Sequence, residues 1–256
     1  MIRKLLIVFA SGLVLSVALL SAAWVVGGDE LSKAGSWRHG DWEDWAADDE
    51  FFDESEKRKL AGFTGVVASG GLHVEITAGA PFDVEVTGPR PELIMTKLSG
   101  TNLVIRPRHS MFDWGGFPNH LVRVSVPELE KISSSAASRV MASGVDAPKL
   151  SISASSGSRL RVEGACGDLD ADASSGANLT AEGLSCQKGR AEASSGGKLR
   201  VAVSEQLDVD ASSGGEVSVT GNPRMGRISL SSGGELHRQD AERTKHIDES
   251  EQLSID

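Results

Sequence analysis

The chain has 256 residues and a formal net charge of −10, which argues against nucleic acid and against an anionic membrane surface as its main partner. It contains 29 glycines and 34 serines, and its five Trp and seven Phe all precede residue 118. Residues 118–256 therefore lack the aromatic side chains that usually supply bulk to a globular core. We expect this half to have a thin interior built from small side chains, or else to lack a fixed fold.

The first 23 residues have the pattern of a secretory signal peptide. Arg3 and Lys4 precede an apolar run, and Ala23 is a small residue after which cleavage fits. The apolar stretch 5–26 is also long enough for an uncleaved N-terminal anchor, and a buried core helix is a third interpretation. Under the first two, the rest of the chain is exported to the periplasm or the cell envelope and surface, with membrane contact only through an anchor.

Residues 24–59 form an acidic, tryptophan-rich segment. Between residues 29 and 59 there are 11 acidic and 5 basic side chains and no strand alternation, which is typical of a linker with little order of its own. Trp42, Trp45 and Phe52 would share one face if the segment were helical, so a short docking helix is one interpretation. The other is a solvated linker whose aromatic rings pack loosely on the following domain. The candidate docking residues are Trp37, Trp42, Trp45 and Phe52.

Short alternating apolar runs occupy residues 60–130. They cover 72–76, 84–86, 103–105 and 121–126, and each ends near a Gly or Pro. Their spacing of about ten residues predicts antiparallel strands or irregular first coils of a larger β structure.

A Ser-Ser-Gly repeat is the strongest pattern in the chain. The triplet begins at residues 155, 174, 194, 212 and 231, with apolar residues alternating before it and after it. A period of 2 within each repeat and of about 19 between repeats is typical of a β-solenoid. We predict an all-β fold: a right-handed parallel β-helix of about 19 residues per coil over 131–236, followed by a charged tail, 237–256.

The triplet itself predicts a corner. Its glycine suits a backbone position with positive φ. Continued alternation points the second serine of each triplet inward, where the hydroxyls would form a hydrogen-bonded ladder. The ladder residues are Ser156, Ser175, Ser195, Ser213 and Ser232.

Cys166 and Cys186 are the only two cysteines, and both follow equivalent Glu-Gly turns of adjacent repeats. The spacing of parallel strands lies within the Cα distance that a disulfide accepts. We predict a disulfide between them; the alternative is two small buried thiols.

Outward positions of the repeats carry charges of opposite sign. The acidic positions before the corner are Asp170, Asp172, Glu192, Asp208 and Asp210, and the basic positions after it are Arg159, Arg161, Lys198 and Arg200. The acidic set is either a cation-binding face or a device that keeps a flat sheet soluble. The opposite signs would allow contacts between coils or between protomers.

The segments "LVRVSVPELEKISSS", "ASSGSRLRVEG", "ASSGANLTAEG", "ASSGGKLRVAV" and "ASSGGEVSVTG" resemble the bacterial GIN-domain family, named as a putative auto-transporter adhesin head. The resemblance covers about residues 60–236. It implies an exported β-solenoid of the cell envelope.

The sequence contains no recognisable nucleophile–base pair, metal-ligand spacing or phosphate loop, so it indicates no cofactor and no catalytic residue. The leading hypothesis is a non-enzymatic adhesin-like or scaffolding module whose partner is an envelope protein or a surface glycan. The alternatives are a polysaccharide-acting β-helix enzyme, which needs clustered carboxylates, and an envelope signalling accessory that docks through residues 37–52.

Overall fold

The computed structural model describes residues 55–108 and 120–239, which form a β-solenoid and confirm the predicted fold class. The described residues contain one short 3₁₀ helix, Pro91–Leu93, and fifteen strands. In chain order the strands are β1 (Ser55–Lys57), β2 (Gly65–Ala68), β3 (His73–Ala78), β4 (Asp83–Thr87), β5 (Ile94–Ser99), β6 (Asn102–Pro107), β7 (Leu121–Val126), β8 (Lys131–Ser134), β9 (Arg139–Ala154), β10 (Arg159–Ala173), β11 (Asn178–Ala193), β12 (Lys198–Ser212), β13 (Glu216–Thr220), β14 (Arg224–Ser231) and β15 (Glu235–Gln239).

Each of the long strands β9 to β12 runs through one coil and bends in its middle. Strand β10 pairs in parallel with β9 on one side and β11 on the other, so that Leu160 is in register with Val140 and Leu179. These three side chains are at most 1% exposed. Stacking of identical positions therefore builds a continuous core from Leu, Val and Ala, which is how an aromatic-free half buries its apolar residues.

The region 60–130 combines the two arrangements that its sequence left open. Strands β3 and β7 pair in parallel and continue one face of the solenoid, while β2, β6 and β8 continue another. Strands β1, β4 and β5 instead pair in antiparallel fashion at the N-terminal end of these two faces.

The N-terminal end of the stack holds the large side chains that the repeats lack. Phe63 is fully buried, and its ring centroid lies 5.0 Å from that of Phe82. The Arg58 guanidinium donates from Nη1 to Thr96 Oγ1 and from Nη2 to the Pro91 carbonyl, both at 2.9 Å. A buried aromatic ring and a partly buried arginine thus cover this end of the core.

The last described coil, formed by β14 and β15, leaves apolar side chains open to solvent. Ile228 and Leu230 are 47% and 49% exposed, whereas Val209 and Ala211, their register partners one coil earlier, are at most 2% exposed. Strand β14 stacks on β12 and covers Val209 and Ala211, whereas no described strand stacks on the far side of β14 to cover Ile228 and Leu230.

The predicted signal peptide or anchor, the docking residues Trp37, Trp42, Trp45 and Phe52, and residues 24–54 of the acidic linker lie outside the described residues. The last five residues of the predicted linker are described, and Ser55–Lys57 form β1, which pairs with β4. Over 55–108 and 120–239, no helix has the length and apolar character needed to span a membrane.

Candidate binding surfaces

The Ser-Ser-Gly triplets form tight corners between two faces of the solenoid. In the first complete copy, Ser156 and Gly157 have φ values of 52° and 69°, and the Ser158 N–H donates to the Ser155 carbonyl at 3.1 Å. Two successive positive φ values closed by this hydrogen bond are the pattern of a type I′ turn. The other four copies repeat the pattern, with second-serine φ values between 49° and 51°.

The predicted inward orientation of the second serines is wrong. All five are exposed: Ser156, Ser175, Ser195, Ser213 and Ser232. The physical reason is the turn, because two successive left-handed residues interrupt the strand alternation and push both central residues outward. The inward position falls instead on the residue after the triplet. In the first copy this is Ser158, which is fully buried and donates from Oγ to the Ser134 carbonyl at 2.8 Å.

A hydrogen-bonded ladder does run along the corners, but the backbone forms it. The carbonyls of Ser175, Ser195 and Ser213 accept from the N–H groups of the glycines one coil earlier, each at 3.1 Å. Carbonyls of stacked corners are therefore satisfied within the solenoid. The hydroxyls of the second serines are left to line an outward ridge.

The predicted disulfide is present. Cys166 and Cys186 are register partners in β10 and β11, with their Cα atoms 4.5 Å apart, and their sulfur atoms are bonded. Both side chains are buried, with Cys166 6% and Cys186 2% exposed.

The basic face consists of Arg159, Arg161, Lys198 and Arg200, which point outward after the corner in β10 and β12. Arg161 pairs with Glu163, with Nη2 and Oε1 2.8 Å apart, and Lys198 pairs with Glu216 at 2.7 Å. Within the part of the chain that the structure describes, Arg159 and Arg200 have no carboxylate oxygen within ion-pair distance. The face therefore carries two cations without a direct ion-pair partner in the described residues, Arg159 and Arg200, two coils apart.

The Lys198–Glu216 pair also affects titration. The hydrogen bond from Lys198, reinforced by its charge and by those of His237 and Arg200, lowers the pKa of the Glu216 carboxyl. Glu216 therefore stays ionised and compensates its cation over the ordinary pH range.

The acidic face consists of Asp170, Asp172, Glu192, Asp208 and Asp210, which point outward before the corner. Asp172, Glu192 and Asp210 are register partners in consecutive coils, so three carboxylates stack in one row. Partial burial raises the pKa of the Asp172 carboxyl, and the neighbouring Glu192 and Asp170 carboxylates raise it further. Arg190 pairs with Glu192, and Asp208 accepts the Arg227 N–H at 2.9 Å.

Side chains able to bind a metal ion or to transfer protons are dispersed over the described coils or paired with arginines. No three His, Cys, Asp or Glu side chains of residues 55–108 and 120–239 are grouped so that they could hold a metal ion. The depression beside Met141 holds Glu75 and Glu163, and each carboxylate lies next to an arginine, Arg123 at 3.5 Å and Arg161 at 2.8 Å.

The family model described as "Putative auto-transporter adhesin, head GIN domain" matches residues 62–223. The chain belongs to the GIN-domain family. The matched range covers the first coils and four of the five Ser-Ser-Gly corners, so the family resemblance found in the sequence is confirmed. No curated protein matches the chain in sequence.

Solved structures resemble this GIN domain in fold. The crystal structure of a putative adhesin from Bacteroides fragilis NCTC 9343 matches with a TM-score of 0.57 and 16% identity, over 73% of this chain and 96% of that chain. A putative adhesin from Parabacteroides merdae ATCC 43184 matches with a TM-score of 0.45 and 10% identity, over 73% of this chain and 95% of that one. A third, from Parabacteroides distasonis ATCC 8503, has a TM-score of 0.42 and 13% identity, over 74% and 98%. At 16% identity the Bacteroides structure supports the solenoid fold alone.

Proposed function

We propose that this protein is an exported, non-enzymatic binding module of the cell envelope with an adhesin-like or scaffolding role. The observation that carries the proposal is the set of straight outward rows produced by in-register coils, on a domain whose family is named for an adhesin head. Such rows repeat every coil, about 4.8 Å apart. They suit an extended partner better than a small molecule, and the partner we propose is an envelope protein or a surface glycan.

Export is supported by two independent features. The N-terminal sequence has the composition of a signal peptide or anchor. The Cys166–Cys186 disulfide fits an oxidising compartment such as the periplasm, because reducing systems keep cytosolic thiols free. Mass spectrometry of the mature N-terminus tests this point: a start at Trp24 indicates cleavage, and an intact Met1 in the membrane fraction indicates an anchor. Recovery of the full chain from the cytosol would contradict export.

The binding role is tested by quantitative capture from envelope extract. The exported chain is compared with a variant that lacks residues 29–54 and keeps β1 and Arg58, so that capture through the acidic segment and capture through the solenoid are separated. Partners retained by the deletion variant support binding by the solenoid faces. Partners lost on deletion favour the signalling alternative, in which residues 37–52 dock. Turnover in a panel of polysaccharides would overturn the non-enzymatic assignment.

A further inference from the structure

The charges of the two faces are arranged in the same order along the solenoid axis. We propose that the basic face of one copy docks on the acidic face of a second copy, coil against equivalent coil, so that the chain self-associates side by side. This inference goes beyond the proposed binding function and does not depend on it.

The first step is the pattern of the basic face. Strand β10 contributes Arg159 and Arg161, and β12 contributes Lys198 and Arg200. Between them, β11 places Asn178 and Thr180 at the register-equivalent positions. Arg161 and Lys198 are each in an ion pair. One cation without an ion-pair partner in the described residues therefore remains on each of two coils, Arg159 on β10 and Arg200 on β12, with an uncharged row between them. The same register continues with Arg139 in β9 and Glu216 in β13.

The second step is the pattern of the acidic face. Strand β10 contributes Asp170 and Asp172, and β12 contributes Asp208 and Asp210 at the register-equivalent positions. Between them, β11 places Arg190 and Glu192, which form an ion pair with each other. Two anionic coils are thus separated by one coil whose charges cancel.

The third step is spacing. Stacked parallel strands lie about 4.8 Å apart, so β10 and β12 are about 10 Å apart on both faces of any copy. A second copy can lie beside the first, at the same height along the axis, with its basic face toward the acidic face of the first. Its β10 and β12 cations are then opposite the β10 and β12 carboxylates of the first copy. An axial shift of one coil would take Arg159 and Arg200 away from these carboxylates and could bring only Arg139 of β9 opposite one of the two anionic coils. This match within one chain is the reason for choosing a second copy as the occupant.

The fourth step is the direction of the faces. Ala154 and Leu160, on the two sides of a corner, are both buried in the same core, so the outward side chains of the two faces point to different sides of the molecule. The contact joins unlike surfaces and is heterologous. Heterologous contacts leave a free face of each kind on the outer copies, so association continues past the dimer unless a ring closes.

The half-buried acidic row gives further support. Asp172, Glu192 and Asp210 form a row of carboxylates in consecutive coils. Burial raises the pKa of Asp172, and repulsion by the Glu192 and Asp170 carboxylates raises it further. A cation from a second copy would offset that repulsion, just as the carboxylates would compensate Arg159 and Arg200.

Sedimentation velocity of the disulfide-bonded exported chain tests the proposal. Measurements are made at about 0.01 M and about 1 M salt, where the screening length is about 30 Å and about 3 Å. We expect species larger than a monomer at low salt and a monomer at high salt. A monomer at low salt over the whole accessible concentration range would overturn the proposal.

Charge reversal identifies the surfaces. The variant R159E/R200E cancels the net charge of the basic face, on which Arg161 and Lys198 remain. The variant D170K/D210K largely cancels that of the acidic face while keeping Asp208, which holds the Arg227 N–H. Each variant alone should associate at least about tenfold more weakly than the wild type. An equimolar mixture should associate again, because the unchanged acidic face of R159E/R200E can then bind the unchanged basic face of D170K/D210K. Equal urea midpoints at high salt show that all three proteins are folded.

The remaining outcomes decide the proposal as well. If both variants associate like the wild type, another surface is responsible, such as the open edge of β14 and β15, and the proposal is wrong. If both are folded monomers and their mixture stays monomeric, the two faces do not meet, and the proposal is again wrong. If D170K/D210K fails to fold, D170N/D210N replaces it, and a loss of association by both this variant and R159E/R200E supports the proposal.

Discussion

Cys166 and Cys186 are register partners in adjacent coils, and their disulfide joins β10 to β11 across a sequence separation of 20 residues. The bond closes a loop of one coil, and closing a loop of this size stabilises a fold by roughly 3 kcal/mol in the chain-entropy model. We expect the variant C166A/C186A to lose about that much free energy of unfolding, measured by urea denaturation. Reductant should lower the midpoint of the wild type and leave that of the variant unchanged. A wild type indifferent to reductant would contradict this.

Core stacking predicts a position-dependent cost for truncating leucines. Leu199 is 1% exposed between two coils, and Leu230 is 49% exposed on the last described coil. The substitution L199A should cost about 2–5 kcal/mol of unfolding free energy, whereas L230A should cost less than about 1 kcal/mol, because it removes little buried surface and leaves no enclosed cavity. Denaturant unfolding of both variants checks the difference, and equal losses would show that the end coil is covered.

The corners predict a graded response to alanine. Gly176 has a φ of 70° with open space around it, so G176A should cost about 1 kcal/mol from backbone strain alone. At Gly164, an added Cβ would also lie 2.1 Å from the Val145 carbonyl oxygen, so G164A should cost clearly more. Ser135, Ala136 and Ala137 form a similar corner one coil before the first triplet, closed by a hydrogen bond from the Ser138 N–H to the Ser135 carbonyl at 3.2 Å. Ala137 has a φ of 61° there, and A137G should stabilise by roughly 0.5–1 kcal/mol. Thermal or urea unfolding gives the order, and a G176A loss as large as that of G164A would contradict the steric argument.

The acidic row predicts that removing the charge of Asp172 raises the free energy of unfolding, and that the increase depends on pH. Burial and the neighbouring carboxylates raise its pKa in the folded chain, so the folded state binds this proton more tightly than the unfolded state. The associated stability is present in acid and is lost as pH rises through the folded pKa. D172N should therefore exceed the wild type at neutral pH by less than about 1 kcal/mol, with the advantage fading toward acid. The exposed control D146N should show no such trend, and a D172N advantage that grows as pH falls would contradict the prediction.

The sequence alone was sufficient for the architecture because its main signals are periodic. The apolar residues that alternate before and after each Ser-Ser-Gly triplet indicate which strand faces are buried. The equivalent turns before Cys166 and Cys186 place the two thiols together. The side-chain direction at the corners could not be obtained by continuing the alternation, since Ser156 and Gly157 both adopt left-handed conformations.

The register in the middle of each coil was hidden from the sequence. Repeat intervals vary from 18 to 20 residues, and the pairing of β11 with β12 absorbs the difference at register shifts between Ala181 and Ser185 and between Cys186 and Lys188. Next to the corners the register follows the triplets, because Arg159, Asn178 and Lys198 each come four residues after the start of their own Ser-Ser-Gly and pair in one row. Similarly, residues 60–130 show alternation in parallel and antiparallel strands alike, so the pattern could not separate the first coils from β1, β4 and β5.

Saturable binding of the purified, disulfide-bonded exported chain to isolated cell envelopes is the most direct measurement of the central claim. The chain is titrated onto envelopes and the bound fraction is quantified after sedimentation, with separate envelope samples treated with protease or with periodate to identify protein or glycan partners. The account predicts saturable binding that one of these treatments removes, with no polysaccharide turnover. Binding that never saturates, or turnover of the envelope glycan by the chain, would contradict it.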